Sequence, residues 1–285
     1  MTTPHPAGFG TVERAMQARR DVGGKCLVPY VTAGITESWL DYVAAAQDGG
    51  ADAVEIGLPF SDPMLDGPII QAASSRALVR GSTVGGLLDE LAGFRAEVPL
   101  IVMTYSNIAR RHGYDDFCHR LAEAGLAGLI VADTPVDEVR PLVDSATSAG
   151  LELTMLVAPS TSPDRVRQIG ATSRGFVYVV SIMGVTGVRD TVSDSIVGTV
   201  QGVRDATMMP VLVGFGVSTP EQAATVASVA DGVVVASALM RSILDGAPAG
   251  GIRREVDALR VAVDSAAAVR PTDIAPGRRA PTGNR

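Results

Sequence analysis

The chain has 285 residues, 46% of them hydrophobic but only 4% aromatic, and a formal net charge of −7. That length suits a single closed α/β barrel, and an interior drawn mostly from Val, Ala, Leu and Ile is the composition of parallel strands covered by helices. The acidic balance, with no Lys/Arg block ahead of the tail, excludes a general nucleic-acid binder.

In chain order, "MTTPHPAGFG" lacks a cationic segment followed by an apolar one. No apolar run approaches the ~18 residues that a membrane helix needs, so a soluble cytoplasmic protein is expected, with residues 1–9 as a flexible lead. "TVERAMQARR" predicts an extra helix that covers the N-terminal end of a barrel. Strand runs rich in β-branched residues then recur: "CLVPYVT" (26–32), "DAVEIGL" (52–58), "LIVMTY" (100–105), "GLIVAD" (128–133), "LTMLVA" (153–158), "GFVYVVS" (175–181), "VLVGFG" (211–216) and "GVVVAS" (232–237).

Between them lie amphipathic stretches such as "SWLDYVAAAQDGG" and "TPEQAATVASVADG", several opened by Ser, Thr or Asp and closed by Gly as helix ends require. Eight strand-helix units predict a (β/α)8 TIM barrel, class α/β. The connection after the second run is long, with an extra helix expected at 70–79. A last helical segment, "GIRREVDALRVAVDSAAAV", ends a single barrel domain spanning 10–268, and 269–285 is expected to be a disordered tail. Cys26 and Cys118 sit among apolar or helical residues and read as buried free thiols, in keeping with a reducing compartment.

In such a barrel the chemistry sits at the C-terminal ends of the strands. The stretch "EIGLPFSDPMLDGPIIQ" (55–71) is the anomaly there, with three acids and three prolines following a plain apolar strand. A carboxylate at Glu55, among Val54, Ile56, Leu58 and Phe60, is poorly solvated, which raises its pKa towards the range useful for proton transfer at neutral pH. The competing explanation is an outward strand carboxylate paired with a lysine or arginine. Asp62 and Asp66 are second candidates, against the alternative that they only cap turns.

Three Gly-bearing segments, "GVTG" (184–187), "GFGVS" (214–218) and "VVASA" (234–238), are candidates for a phosphate cradle; the last two follow the seventh and eighth strand runs, where barrels build one from backbone N–H groups and a helix N-terminus. His5, His112 and His119 are too scattered for a triad or a metal site, and no lysine ends a strand run, which disfavours Schiff-base chemistry.

The 55–71 stretch resembles the signature of the tryptophan synthase alpha-subunit family, and the likeness continues through "PYVTAG", "MTYSN", "VADTPVDE", "GFVYVVSIMGVTGVR", "GFGVSTPEQ" and the "SAL" after the eighth run. The resemblance implies retro-aldol cleavage of indole-3-glycerol phosphate to indole and glyceraldehyde 3-phosphate, without a cofactor in this chain and with no metal. Pyridoxal phosphate is expected only in a beta-subunit partner. By the same resemblance, Glu55 is the acid/base at the indole C3 and Asp66 accepts the indole N–H. Tyr105, Tyr178 and Phe215 line the indole pocket, Thr186 closes over Asp66, and Gly187, Gly216, Ala236 and Ser237 bind phosphate.

The sequence departs from the family at Ala236, where glycine is usual, in "GITESW" after the first strand, and at Ile182 and Met183. Two alternatives stay open at this point: a stand-alone indole-releasing lyase of specialised metabolism, and a non-catalytic regulatory subunit. Retention of both acids speaks against the latter.

Overall fold

The computed structural model describes residues 10–180, 194–214 and 216–267. Nine parallel strands form one sheet: β1 (Cys26–Thr32), β2 (Val54–Gly57), β3 (Leu100–Thr104), β4 (Gly128–Val131), β5 (Glu152–Leu153), β6 (Met155–Val157), β7 (Val177–Val180), β8 (Val211–Gly214) and β9 (Gly232–Val235). The order is β5-β4-β3-β2-β1-β9-β8-β7-β6.

The strands at the two ends of that order, β5 and β6, are consecutive pieces of one strand interrupted at Thr154. Thr154 N bonds Leu129 O on one side, while Leu153 O accepts from Arg174 N on the other. The ring therefore closes, and the eight expected strand positions are all filled. The one correction is the break in the fifth, where the Thr154 hydroxyl turns to Arg174 O at 3.0 Å.

Twelve helices surround the strands among the described residues: α1 (Thr11–Asp21), α2 (Trp39–Asp48), α3 (Pro68–Val79), α4 (Val84–Ala92), α5 (Ser106–Arg110), α6 (Tyr114–Glu123), α7 (Arg140–Ser148), α8 (Pro163–Thr172), α9 (Asp194–Ala206), α10 (Pro220–Val229), α11 (Ser237–Leu244) and α12 (Ala249–Ala267). Strand residues are buried on both faces, as closed parallel sheets demand. The expected extra helix at 70–79 is α3, which starts two residues earlier because Pro68 occupies its first turn and needs no amide partner. The short α5 and α11 have no counterpart in the expected elements. The expected tail and the lead 1–9 lie outside the described residues.

Register explains how the barrel's two ends differ. Tyr30 pairs with Glu55, Glu55 with Ile101, Ile101 with Gly128, and Gly128 with Glu152. Paired residues of parallel strands share a face, and strand tilt makes this row descend as it passes round the barrel. Glu55 thus sits deep inside, while Glu152, starting its strand, lies at the closed end. There its carboxylate accepts from Val12 N at 2.6 Å and Glu13 N at 2.9 Å, so α1 is fastened across the bottom of the barrel. The same row carries two buried acids, and only one of them is satisfied by backbone amides.

Both cysteines are free and buried, and burial pushes each thiol above its ordinary range, Cys118 to about 11. None of the described helices is long and apolar enough to cross a membrane.

Candidate active site

Glu55 is 1% exposed, and its Oε2 has no hydrogen-bond partner among the described residues. The outward, ion-paired alternative is thereby excluded: a buried carboxylate with an unused oxygen points into the barrel. Burial, reinforced by the negative charge of Asp66, pushes its pKa up to about 8. At neutral pH the group is a carboxylic acid with a proton to give.

Asp66 arrives from the loop after β2. Pro63 O accepts from Asp66 N at 3.1 Å, and Gln71 Nε2 donates to Asp66 O at 2.8 Å, so the loop folds on itself before Gly67 and Pro68 open α3. The Tyr105 hydroxyl donates to Asp66 Oδ2 at 2.9 Å and accepts from Leu65 N at 3.2 Å. Burial raises the Asp66 pKa, and the Tyr105 hydrogen bond opposes that rise. Asp62, in contrast, is exposed and bonded to its neighbour Ser61, which leaves it the turn role.

Phe60 stacks on Tyr105 with ring centroids 5.1 Å apart. The ring is thus held from one side by the loop whose carboxylate it restrains.

Two further phenols face these acids. Tyr30 and Tyr178 are both buried, at 5% and 2% exposure. Desolvation first, then the charges of Asp66 and Glu55, keeps Tyr30 neutral, and the same carboxylates act on Tyr178 after desolvation. Their rings fit because the ends of the adjacent, paired strands are bare. A β-carbon on Gly57 would collide with the Tyr30 phenol, and one on Gly214 with that of Tyr178. Thr32 Oγ1 donates to Tyr30 Oη at 3.3 Å. Sequence reasoning missed Tyr30; the signal was its place in an apolar strand, on the face that parallel pairing shares with Glu55.

The last element of the site is a helix start. Ala236 precedes α11 with φ −115°, outside the left-handed region that favours glycine, so the backbone here does not demand the glycine it replaces. No side chain caps α11, and its first internal bond runs from Met240 N to Ala236 O. The amides of Ser237, Ala238 and Leu239 therefore lack intrahelical acceptors and carry the positive end of the helix dipole.

The neighbouring α10 is closed: Thr219 Oγ1 accepts from Gln222 N, and Gln222 Oε1 accepts from Ser218 N at 2.8 Å. Gly216, between β8 and α10, has φ +92°, where a side chain is strained. The structure thus brings Glu55, Asp66, Tyr105 and Tyr178 to one end of the barrel, with Gly216, Ala236 and Ser237 following β8 and β9. Thr186, Gly187 and Phe215, together with Ile182 and Met183, lie outside the described residues.

The family model for the tryptophan synthase alpha chain matches residues 16–269. The tryptophan synthase alpha chain of Gloeobacter violaceus is 45% identical over 248 residues, covering 85% of this chain and 89% of its own length. That of Halorhodospira halophila is 42% identical over 262 residues, covering 89% and 96%. Among solved structures, a chain of Mycobacterium tuberculosis tryptophan synthase superposes with a TM-score of 0.83 at 35% identity, covering 90% of this chain and 99% of that one. The alpha subunit from Legionella pneumophila does so with a TM-score of 0.83 at 30% identity, covering 90% and 100%.

Proposed function

Because the chain belongs to the tryptophan synthase alpha chain family, we propose a specific division of labour among its residues. The protein is a carbon–carbon lyase that cleaves indole-3-glycerol phosphate to indole and glyceraldehyde 3-phosphate, as the alpha subunit of tryptophan synthase. Residues 10–268 carry this chemistry as one barrel domain.

A bond to an aromatic carbon breaks heterolytically once that carbon is protonated and the ring nitrogen can hold the positive charge. Glu55, protonated at neutral pH, gives its proton to indole C3. Asp66, tethered through Oδ2 by Tyr105, keeps Oδ1 for the indole N–H and stabilises the cationic ring. The Glu55 carboxylate then removes the proton of the glycerol hydroxyl next to the breaking bond. That carbon becomes the aldehyde, the bonding pair returns to the ring, and Glu55 is again an acid. A pKa near 8 suits a group that must give and retake a proton within one turnover.

Tyr105 and Tyr178, with Phe215, enclose the indole, and Thr186 closes over Asp66. Gly187, Gly216, Ala236 and Ser237 hold the phosphate, a role that the uncapped start of α11 supports. The chain needs no cofactor for these steps; pyridoxal phosphate belongs to the beta subunit. Met64 and Leu65 are 79% and 46% exposed on the Asp66 loop, apolar side chains suited to a beta-subunit surface. The protein acts in the cytoplasm.

The observation that carries this reading is the buried Glu55 carboxyl, whose Oε2 has no partner among the described residues and whose pKa the charge of Asp66 helps to raise. Its test is glyceraldehyde 3-phosphate release from indole-3-glycerol phosphate, with and without a beta subunit. Release that is slow alone and strongly stimulated by the partner supports an alpha subunit; equally fast release alone points to a stand-alone lyase, and none under either condition refutes the substrate.

A further inference from the structure

One partly buried chain of contacts leads away from the reacting groups. Asp133, just past the end of β4, accepts two hydrogen bonds from Ser106, from its backbone N at 2.7 Å and from its hydroxyl at 2.8 Å. Ser106 opens α5 and directly follows Tyr105, whose hydroxyl donates to Asp66. The residue before α5, Tyr105, offers no side-chain cap to the helix, so Asp133 supplies the cap from the neighbouring strand's loop.

A carboxylate at a helix start accepts from the otherwise orphaned amides and fixes the turn that precedes them. Here Tyr105 is the residue that enters that turn, its carbonyl accepting from Ile108 N at 3.1 Å and Ala109 N at 3.2 Å. α5 has a single turn and five residues, too few to hold its own conformation without an external anchor.

We propose that Asp133 is a positioning residue for the lyase reaction: by gripping Ser106 it aims the Tyr105 phenol, and through it Asp66, at the indole nitrogen. The inference rests on the role given above to Asp66. It extends that role by one residue that never touches substrate. Burial first, then Asp66 and only last Asp133, opposes ionisation of Tyr105, which keeps the phenol a donor.

The test is a set of double-mutant cycles in the full chain with a beta subunit. Asp133→Ala, Asp133→Asn and Ser106→Ala are each made in the parent and in the Tyr105→Phe background, and kcat and KM for indole release are measured. In the parent, Asp133→Ala lowers kcat about tenfold with KM within about twofold, the size of one charge-assisted hydrogen bond lost at the transition state. Asp133→Asn, which keeps one acceptor oxygen, restores part of the loss. In the Tyr105→Phe background the same change adds less than about twofold, because the phenol it aims is gone.

A full tenfold loss in both backgrounds would overturn the proposal, as would a loss that follows melting temperature instead of the Tyr105 hydroxyl. If Asp133→Ala does not fold, Ser106→Ala applies the same cycle with one hydrogen bond removed. An unchanged kcat in Tyr105→Phe also defeats the inference. Full activity in Asp66→Asn would instead defeat the reading on which it rests.

Discussion

Replacing Glu55 by glutamine should stabilise the protein, and by an amount that grows with pH. The native carboxyl has its pKa raised from 4.5 to about 8 by burial and by Asp66. Below 4.5 both folded and unfolded chains hold the proton, and the buried acid carries no ionisation penalty. As pH rises from 4.5 towards 8 the unfolded chain releases its proton while the folded one retains it, so stability falls. Above 8 the whole cost is present.

The separation between those two pKa values sets that cost at roughly 5 kcal/mol as an upper limit, at 1.36 kcal/mol per pKa unit. Glutamine mimics the protonated acid and does not titrate. Urea unfolding of parent and Glu55→Gln at intervals between pH 4 and pH 9 should give curves that converge at the acid end and separate by several kcal/mol at the alkaline end. Slopes from other raised carboxyls such as Asp52 and Glu152 are common to both proteins and cancel. A difference that stays constant across this range would refute the buried, proton-holding glutamate.

Three further outcomes follow from packing. Gly57→Ala places a methyl inside the Tyr30 phenol, so it should cost about 2–3 kcal/mol as overpacking does, and Tyr30→Ala in the same chain should return part of that in thermal unfolding. Glu152→Ala removes both carboxylate bonds to the start of α1; a loss of about 2–3 kcal/mol is expected, and hydrogen exchange should accelerate first at the amides of Val12 and Glu13. Cys26 and Cys118 should resist a maleimide at pH 7 in the native protein and react in urea, since burial holds both thiols protonated.

The strands were legible because their residues are buried on both faces and so form unbroken apolar runs. Their ends were not: the run at 52–58 is a strand only over Val54–Gly57, although Asp52 N and Leu58 N still bond Leu27 O and Met103 O of the two neighbouring strands. The broken fifth strand was hidden because Thr154 is an ordinary strand residue until its hydroxyl meets Arg174 O. α5 escaped notice because a one-turn helix has no periodicity to read, and α11 because its first residues looked like the end of the eighth strand run.

Glu55 and Asp66 stood out as acids where alternation demanded none. Tyr30 and Asp133 did not: the first acts through a register pairing with Glu55, the second through a bond to Ser106, 27 residues away. Such pairings belong to the folded barrel rather than to any local pattern.

The central claim is that Glu55 carries the proton that breaks the carbon–carbon bond. Single-turnover cleavage of indole-3-glycerol phosphate, followed from pH 5 to pH 9 for the parent and for Glu55→Gln in complex with a beta subunit, tests it most directly. The parent rate should fall as pH passes about 8, where the acid form is lost. Glu55→Gln should be slower by about 10²–10⁴-fold throughout, the range that a positioned acid/base contributes. A glutamine variant within about tenfold of the parent, with the same pH profile, would contradict the account.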